Sequence, residues 1–109
     1  MQPTFEPHSP LAWRREATAV SFTFSGRQVI VGVTSTAAAR TVTLATALMN
    51  DSPDARVVIV KDESGAAGTN NITVATEGSE TIDGSATVVI SANYGVARLY
   101  SDGANWFTF

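Results

Sequence analysis

The side chains of this sequence that could do acid–base, nucleophilic or metal chemistry are few and scattered. A Ser-His-Asp or Cys-His site needs an imidazole fixed by a third group. The single histidine, His8, sits instead in a stretch broken by Pro3, Pro7 and Pro10. Metal centres recruit several His, Cys or clustered carboxylates. Asp62 and Glu63 are adjacent and point to opposite sides of an extended strand, while Glu77, Glu80 and Asp83 fall in turns. Asp83-Gly84 and Asp102-Gly103 are explained as turn-formers. Paired carboxylates hydrolyse glycosides when held several ångströms apart, but such enzymes are long chains with a groove. Gly65-Ala66-Ala67-Gly68 lacks the lysine and the strand-to-helix context of a phosphate loop. No catalytic, cofactor or metal residue is predicted.

The elements that would have to position any site read as short strands. From Arg56 to Phe109 the runs 56–61, 71–75, 86–90, 96–100 and 106–109 are rich in β-branched and aromatic residues and are separated by Gly, Asn, Asp and Ser clusters. Upstream, Ala19 to Phe24 alternates with Val20, Phe22 and Phe24 on one face, and Gln28 to Thr34 repeats the pattern with Val29, Val31 and Val33. Gly32 marks a bulge or a close approach of another backbone. Ser35 to Ala39 reads as a loop, Arg40 to Leu44 as a strand, and Ala45 to Ala55 as at most a turn of helix followed by a turn at Pro53. The expected fold is all-β: a compact antiparallel sandwich, a small barrel or a β-prism-like module. No exact internal repeat is visible, which argues against a regular solenoid.

The chain has 109 residues, enough for one small domain, divided as an arm over 1–15 and an all-β domain over 16–109. Three of its four prolines lie in the first ten residues and deny that stretch the donors of a sheet ladder. Such a stretch is either a loosely ordered terminus or a docking arm, and the contrast with so compact a domain favours the arm. Its anchors would be Phe5, Leu11 and Trp13, with His8, Arg14 and Arg15 as polar or cationic contacts. Val58, Val60, Ile72, Val88, Ile90, Leu99, Trp106 and Phe107 are expected in the core or in an intersubunit seam. Strands 57–60 and 88–90 are apolar on both faces, so their outer sides need cover from a second sheet, from neighbouring subunits, or from both.

A formal net charge of −3, with seven scattered Lys and Arg, argues against nucleic acid as a partner. The absence of cysteine excludes a disulfide scaffold and a thiolate metal site. No apolar run approaches the ~20 residues of a membrane helix, and the first residues lack a signal-peptide pattern. Charged residues make up 16% of the chain, below the ~25% of an average domain, as expected when much of the surface meets other copies of itself.

One resemblance is carried by an ordered series of short motifs: Val60-Lys61-Asp62-Glu63-Ser64-Gly65, Gly68-Thr69-Asn70-Asn71-Ile72-Thr73, Ile82-Asp83-Gly84, Asn93-Tyr94-Gly95 and Ser101-Asp102-Gly103-Ala104-Asn105-Trp106-Phe107. Over about half the chain this resembles a β-module of tailed-bacteriophage virion proteins, found in tail fibres, tailspike-like chains and small capsid-decoration or head-fibre proteins. The resemblance implies a non-enzymatic virion structural protein. Its short arm plus single module points to a capsid cement or decoration protein that binds the major capsid protein on the outer shell as a homotrimer. The alternative is a tail-fibre or head-fibre module that recognises a host glycan or protein through exposed aromatics such as Tyr94 or Tyr100. No cofactor is expected under either reading.

Overall fold

The structure, a computed structural model, describes residues 13–50 and 56–109. Among these residues nine strands follow in order: β1 (Arg15–Thr18), β2 (Phe22–Phe24), β3 (Ile30–Val33), β4 (Arg40–Leu44), β5 (Val57–Asp62), β6 (Ile72–Thr76), β7 (Thr87–Ile90), β8 (Val96–Ser101) and β9 (Trp106–Thr108). A 3₁₀ turn over Thr46–Asn50 separates β4 from β5. The strands form a five-stranded sheet, β1-β3-β5-β8-β9, and a four-stranded sheet, β2-β4-β6-β7. The all-β class therefore holds.

The antiparallel arrangement does not hold, and neither sheet closes into a barrel. β1, β3 and β5 run parallel, as do β2, β4 and β6; only β5–β8, β8–β9 and β6–β7 are antiparallel. The tight connections between the early strands do not reverse the chain within a sheet. They carry it across the core to the opposite sheet, so each strand pairs with the one two places later. The first six strands thus wind as a short two-sheet solenoid, which the missing sequence repeat had argued against. Its coils differ in length: Arg15 lies beside Ile30 and Ile30 beside Ile59, while Phe22 lies beside Val42 and Arg40 beside Ile72. A winding with no fixed period leaves no period in the sequence.

One apolar core fills the space between the sheets. Val31, Val33, Val58, Val60, Leu99 and Trp106 enter it from the five-stranded sheet, and Phe24, Val42, Leu44, Ile72, Val74 and Ile90 from the four-stranded one. The pleat alternates inward and outward side chains, so β5 buries Val58, Val60 and Asp62 while Val57, Ile59 and Lys61 face out. Gly32 does mark a close approach, but by a side chain and not a backbone. A Cβ at that position would stand 2.1 Å from Glu63 Oε2.

Candidate interaction surfaces

Asp62 is the last residue of β5, and the alternation that buries Val58 and Val60 turns its carboxylate inward as well. A buried carboxylate costs several kcal/mol unless it is hydrogen-bonded, and here five donors converge on it. Oδ1 accepts from Ser64 N–H at 3.0 Å, Ser64 Oγ at 2.6 Å and Gly65 N–H at 3.0 Å. Oδ2 accepts from Ala67 N–H and from Tyr94 N–H, each at 2.9 Å. The last of these ties the loop after β5 to the turn before β8. Asn93 Oδ1 adds a second tie by accepting from Gly68 N–H at 2.9 Å, and Lys61 Nζ adds a third by donating to the Tyr94 carbonyl. Tyr94 is held at φ 58°, in the left-handed region that non-glycine residues rarely occupy, with its ring 61% exposed. That ring lies over Gly65, where a Cβ would come within 2.5 Å of it.

These contacts set a pH dependence. Burial pushes the Asp62 carboxyl up, but the bonds from Ser64, Ala67, Tyr94 and Gly65 outweigh it and lower it from 3.8 to about 2. Glu63 is lowered through its hydrogen bonds with Arg15, against burial, and Asp102 through the backbone N–H groups of Asn105 and Ala104. All three are depressed on folding, so the stability they contribute is complete above the unfolded carboxylate range and is lost as pH falls through the folded values. The thermal midpoint is expected to be flat from pH 7 to about 5 and to fall between about 4 and 2, which a melting series over that range will check.

Glu63, Glu77, Asp83 and Asp102 are also occupied in structural roles, whereas Glu80 Oε2 is buried with no hydrogen-bond partner among the described residues. Glu63 clamps Arg15 at 2.8 and 2.5 Å across Gly32, the single ion pair found among the described residues. Glu77 caps Thr46 N–H at 2.9 Å, Asp102 holds the Ala104 and Asn105 N–H groups, and Asp83 holds Thr108 through N–H and hydroxyl. No group of three His, Cys, Asp or Glu side chains that could hold a metal occurs among the described residues.

The contrasting surface is apolar. β8 alternates strictly, burying Ala97, Leu99 and Ser101 and turning Val96, Arg98 and Tyr100 to solvent. Registration with β5 and β9 sets Val57, Tyr100 and Phe107 in one outward row. The next row holds Ile59 and Arg98, whose carbonyl receives the Phe109 N–H. Tyr100 packs against the rings of Phe107 and Phe109 at 5.6 and 5.9 Å, and the Arg98 guanidinium lies over Phe109 at 5.6 Å. Phe109 is 55% exposed, Val89 47% and Val96 43%. Where β7 meets β8, Val88, Val89, Val96, Arg98 and Phe109 line a pocket of about 270 Å³.

Of the expected core set, Val58, Val60, Ile72, Ile90, Leu99 and Trp106 are buried, Val88 packs partly buried against them, and Phe107 lies half-buried in the outward row. Of the expected arm contacts, Phe5, His8 and Leu11 lie outside the described residues. Trp13 is exposed, Arg14 accepts the Val29 and Ile30 N–H groups at its carbonyl, and Arg15 opens β1 in the grip of Glu63. No family model matches the sequence, and no curated protein matches it. The residues that sequence reasoning missed are Asp62 as a buried acceptor and β1 as a strand. The run Lys61-Asp62-Glu63-Ser64-Gly65 carried the first signal, since an Asx turn needs an Asp followed by N–H groups two and three residues on. β1 carried none, because Arg-Glu-Ala-Thr has no apolar alternation.

Proposed function

We propose that the chain is a non-enzymatic virion structural protein, a capsid cement or decoration protein that binds the outer capsid shell as a homotrimer and stabilises it. The observation that carries this reading is the outward apolar patch at β8 and the chain end, where Val96 and Phe109 meet the exposed Val89 of β7 and Tyr100 packs on Phe109 and the half-buried Phe107. A contiguous apolar patch on a small domain marks an interaction surface, and copies of the same chain are the partner that a surface so low in charge suits. Three copies joined there would present three arms to the major capsid protein, so that weak single contacts suffice through avidity. Preferential binding to the closed shell would then stabilise it by mass action.

A second reading, a tail-fibre or head-fibre module for host-surface recognition, is favoured by the exposed Tyr94 in the turn tied to the loop after β5. Light scattering and co-sedimentation with capsids stripped of accessory proteins separate the two. The expected result is a mass about three times the 11.4 kDa chain and saturable shell binding, lost on deleting residues 1–12, a deletion that spares β1. A monomer that ignores shells overturns the proposal. Binding to host cells that Tyr94→Ala abolishes would establish the second reading in its place.

A further inference from the structure

The parallel winding has two unlike ends. At the carboxy-terminal end the outer edge of β9 is closed by residues 81–83, ahead of β7: Trp106 N–H donates to the Thr81 carbonyl at 2.7 Å, Asp83 N–H to the Trp106 carbonyl at 3.0 Å, and Thr108 N–H to Asp83 Oδ1 at 3.1 Å. β7 keeps a single short edge beside it. At the other end β1 and β2 are both outermost, and among the described residues no strand pairs with the far side of either.

The direction of the free groups follows from the ladder. The Arg14 carbonyl accepts from Ile30 N–H at 3.0 Å and the Thr18 carbonyl from Thr34 N–H at 2.8 Å, so even-numbered positions face β3. Main-chain groups alternate in direction along a strand, so the N–H and C=O of Arg15 and Ala17 face outward. In β2 the Phe24 carbonyl accepts from Ala45 N–H at 2.9 Å, which turns the groups of Thr23 to the same open end. Trp13 and Val20, 63% and 59% exposed, flank these edges. Two edges that no described residue pairs, with apolar neighbours, are a template for another strand.

We infer that this open end takes up an extended strand of the shell subunit by backbone pairing with β1 and β2. The inference rests on the capsid-binding reading above and adds to the arm a second contact with the shell, directly downstream of it. The chain's own first twelve residues are poor occupants, because Pro3, Pro7 and Pro10 leave no run of more than three residues that can donate. The shell is favoured over a second copy by continuity: residues 1–12, which that reading lays on the capsid, join β1 directly through Trp13 and Arg14.

The test is the double variant Ala17→Pro/Thr23→Pro, which removes two outward N–H groups and no bond of the ladder, beside Ala17→Ser/Thr23→Ser, which keeps them. Co-sedimentation on stripped capsids is expected to show wild-type affinity for the serine pair. The proline pair should bind at least tenfold more weakly while melting within a few degrees of wild type. Proline-pair binding equal to wild type overturns the site while the cement reading stands; wild-type protein that ignores shells takes down both. Loss of self-association in the proline pair with shell binding intact assigns the edge to a second copy and overturns the shell strand. Should the proline pair fail to fold, hydrogen exchange on the wild-type protein decides. Slowed exchange at Ala17 and Thr23 on capsids supports the site, and unchanged exchange there overturns it.

Discussion

Asp62→Asn is expected to lower the stability of the protein by about 3–5 kcal/mol. The substitution preserves shape and volume but turns one oxygen into an amide NH₂. That group faces either the Ser64, Gly65 and Ser64 Oγ donors or the Ala67 and Tyr94 N–H groups. Whichever way the amide turns, donors meet donors in a site closed to water. Urea unfolding at pH 7 measures the loss directly. The same variant separates a charge effect from a packing effect: it should flatten much of the decline between about pH 4 and 2, because the carboxyl lowered to about 2 is gone. Asp62→Asn with wild-type stability would show that the carboxylate is not what joins the two loops.

Trp106→Ala should cost about 3–5 kcal/mol, for a different reason. The indole is the largest fully buried side chain, and it stands on β9, a strand of three residues with a single paired neighbour in its sheet. Its backbone also holds the Thr81 carbonyl and the Asp83 N–H. Emptying its volume therefore unseats the segment that closes the β9 edge as well as leaving a cavity. Trp106→Phe should cost only about 1–2 kcal/mol. It keeps most of the ring and deletes an indole N–H that has no hydrogen-bond partner among the described residues. Denaturant midpoints of the two variants, compared at unchanged slope, check the ordering.

The strands were legible where burial imposes a period of two. β4 lies over Arg40–Leu44 as its Thr-Val-Thr-Leu alternation indicates, and β8 follows Val96, Arg98 and Tyr100 outward with Ala97 and Leu99 inward. The pairing partners were not legible, because alternation tells which face is buried and carries no information on whether the next strand lies beside this one or across the core. The turn at Ser25-Gly26 would serve a hairpin equally well; here it sends the chain to the opposite sheet. The apolar outward row was half visible, since Tyr100 and Phe107 were noted as aromatic but their common face depends on the β8–β9 register. The sequence places the adjacent Asp62 and Glu63 on opposite sides of an extended strand, and they do point opposite ways. One is sunk in the core, and the other reaches over Gly32 to Arg15. What composition hides is the environment of each, which is set by residues more than thirty positions away at Tyr94 and almost fifty at Arg15.

The winding also dictates an order of assembly. Ser101 and Trp106 of the β8–β9 hairpin are five residues apart in sequence, and Ala75 and Thr87 of the β6–β7 hairpin twelve. Every parallel rung must close a longer segment, from Arg15 to Ile30 at the shortest up to Arg40 to Ile72. Loop-closure entropy therefore favours the carboxy-terminal hairpins as the nucleus; β5 can join β8, a pairing that spans Lys61 to Val96, once the β6–β7 hairpin has shortened that gap, and the earlier coils then wind on backwards from β5 towards β1. The last rung to close is the one whose edges remain open, so the least protected part of the domain against transient opening is the end nearest the arm.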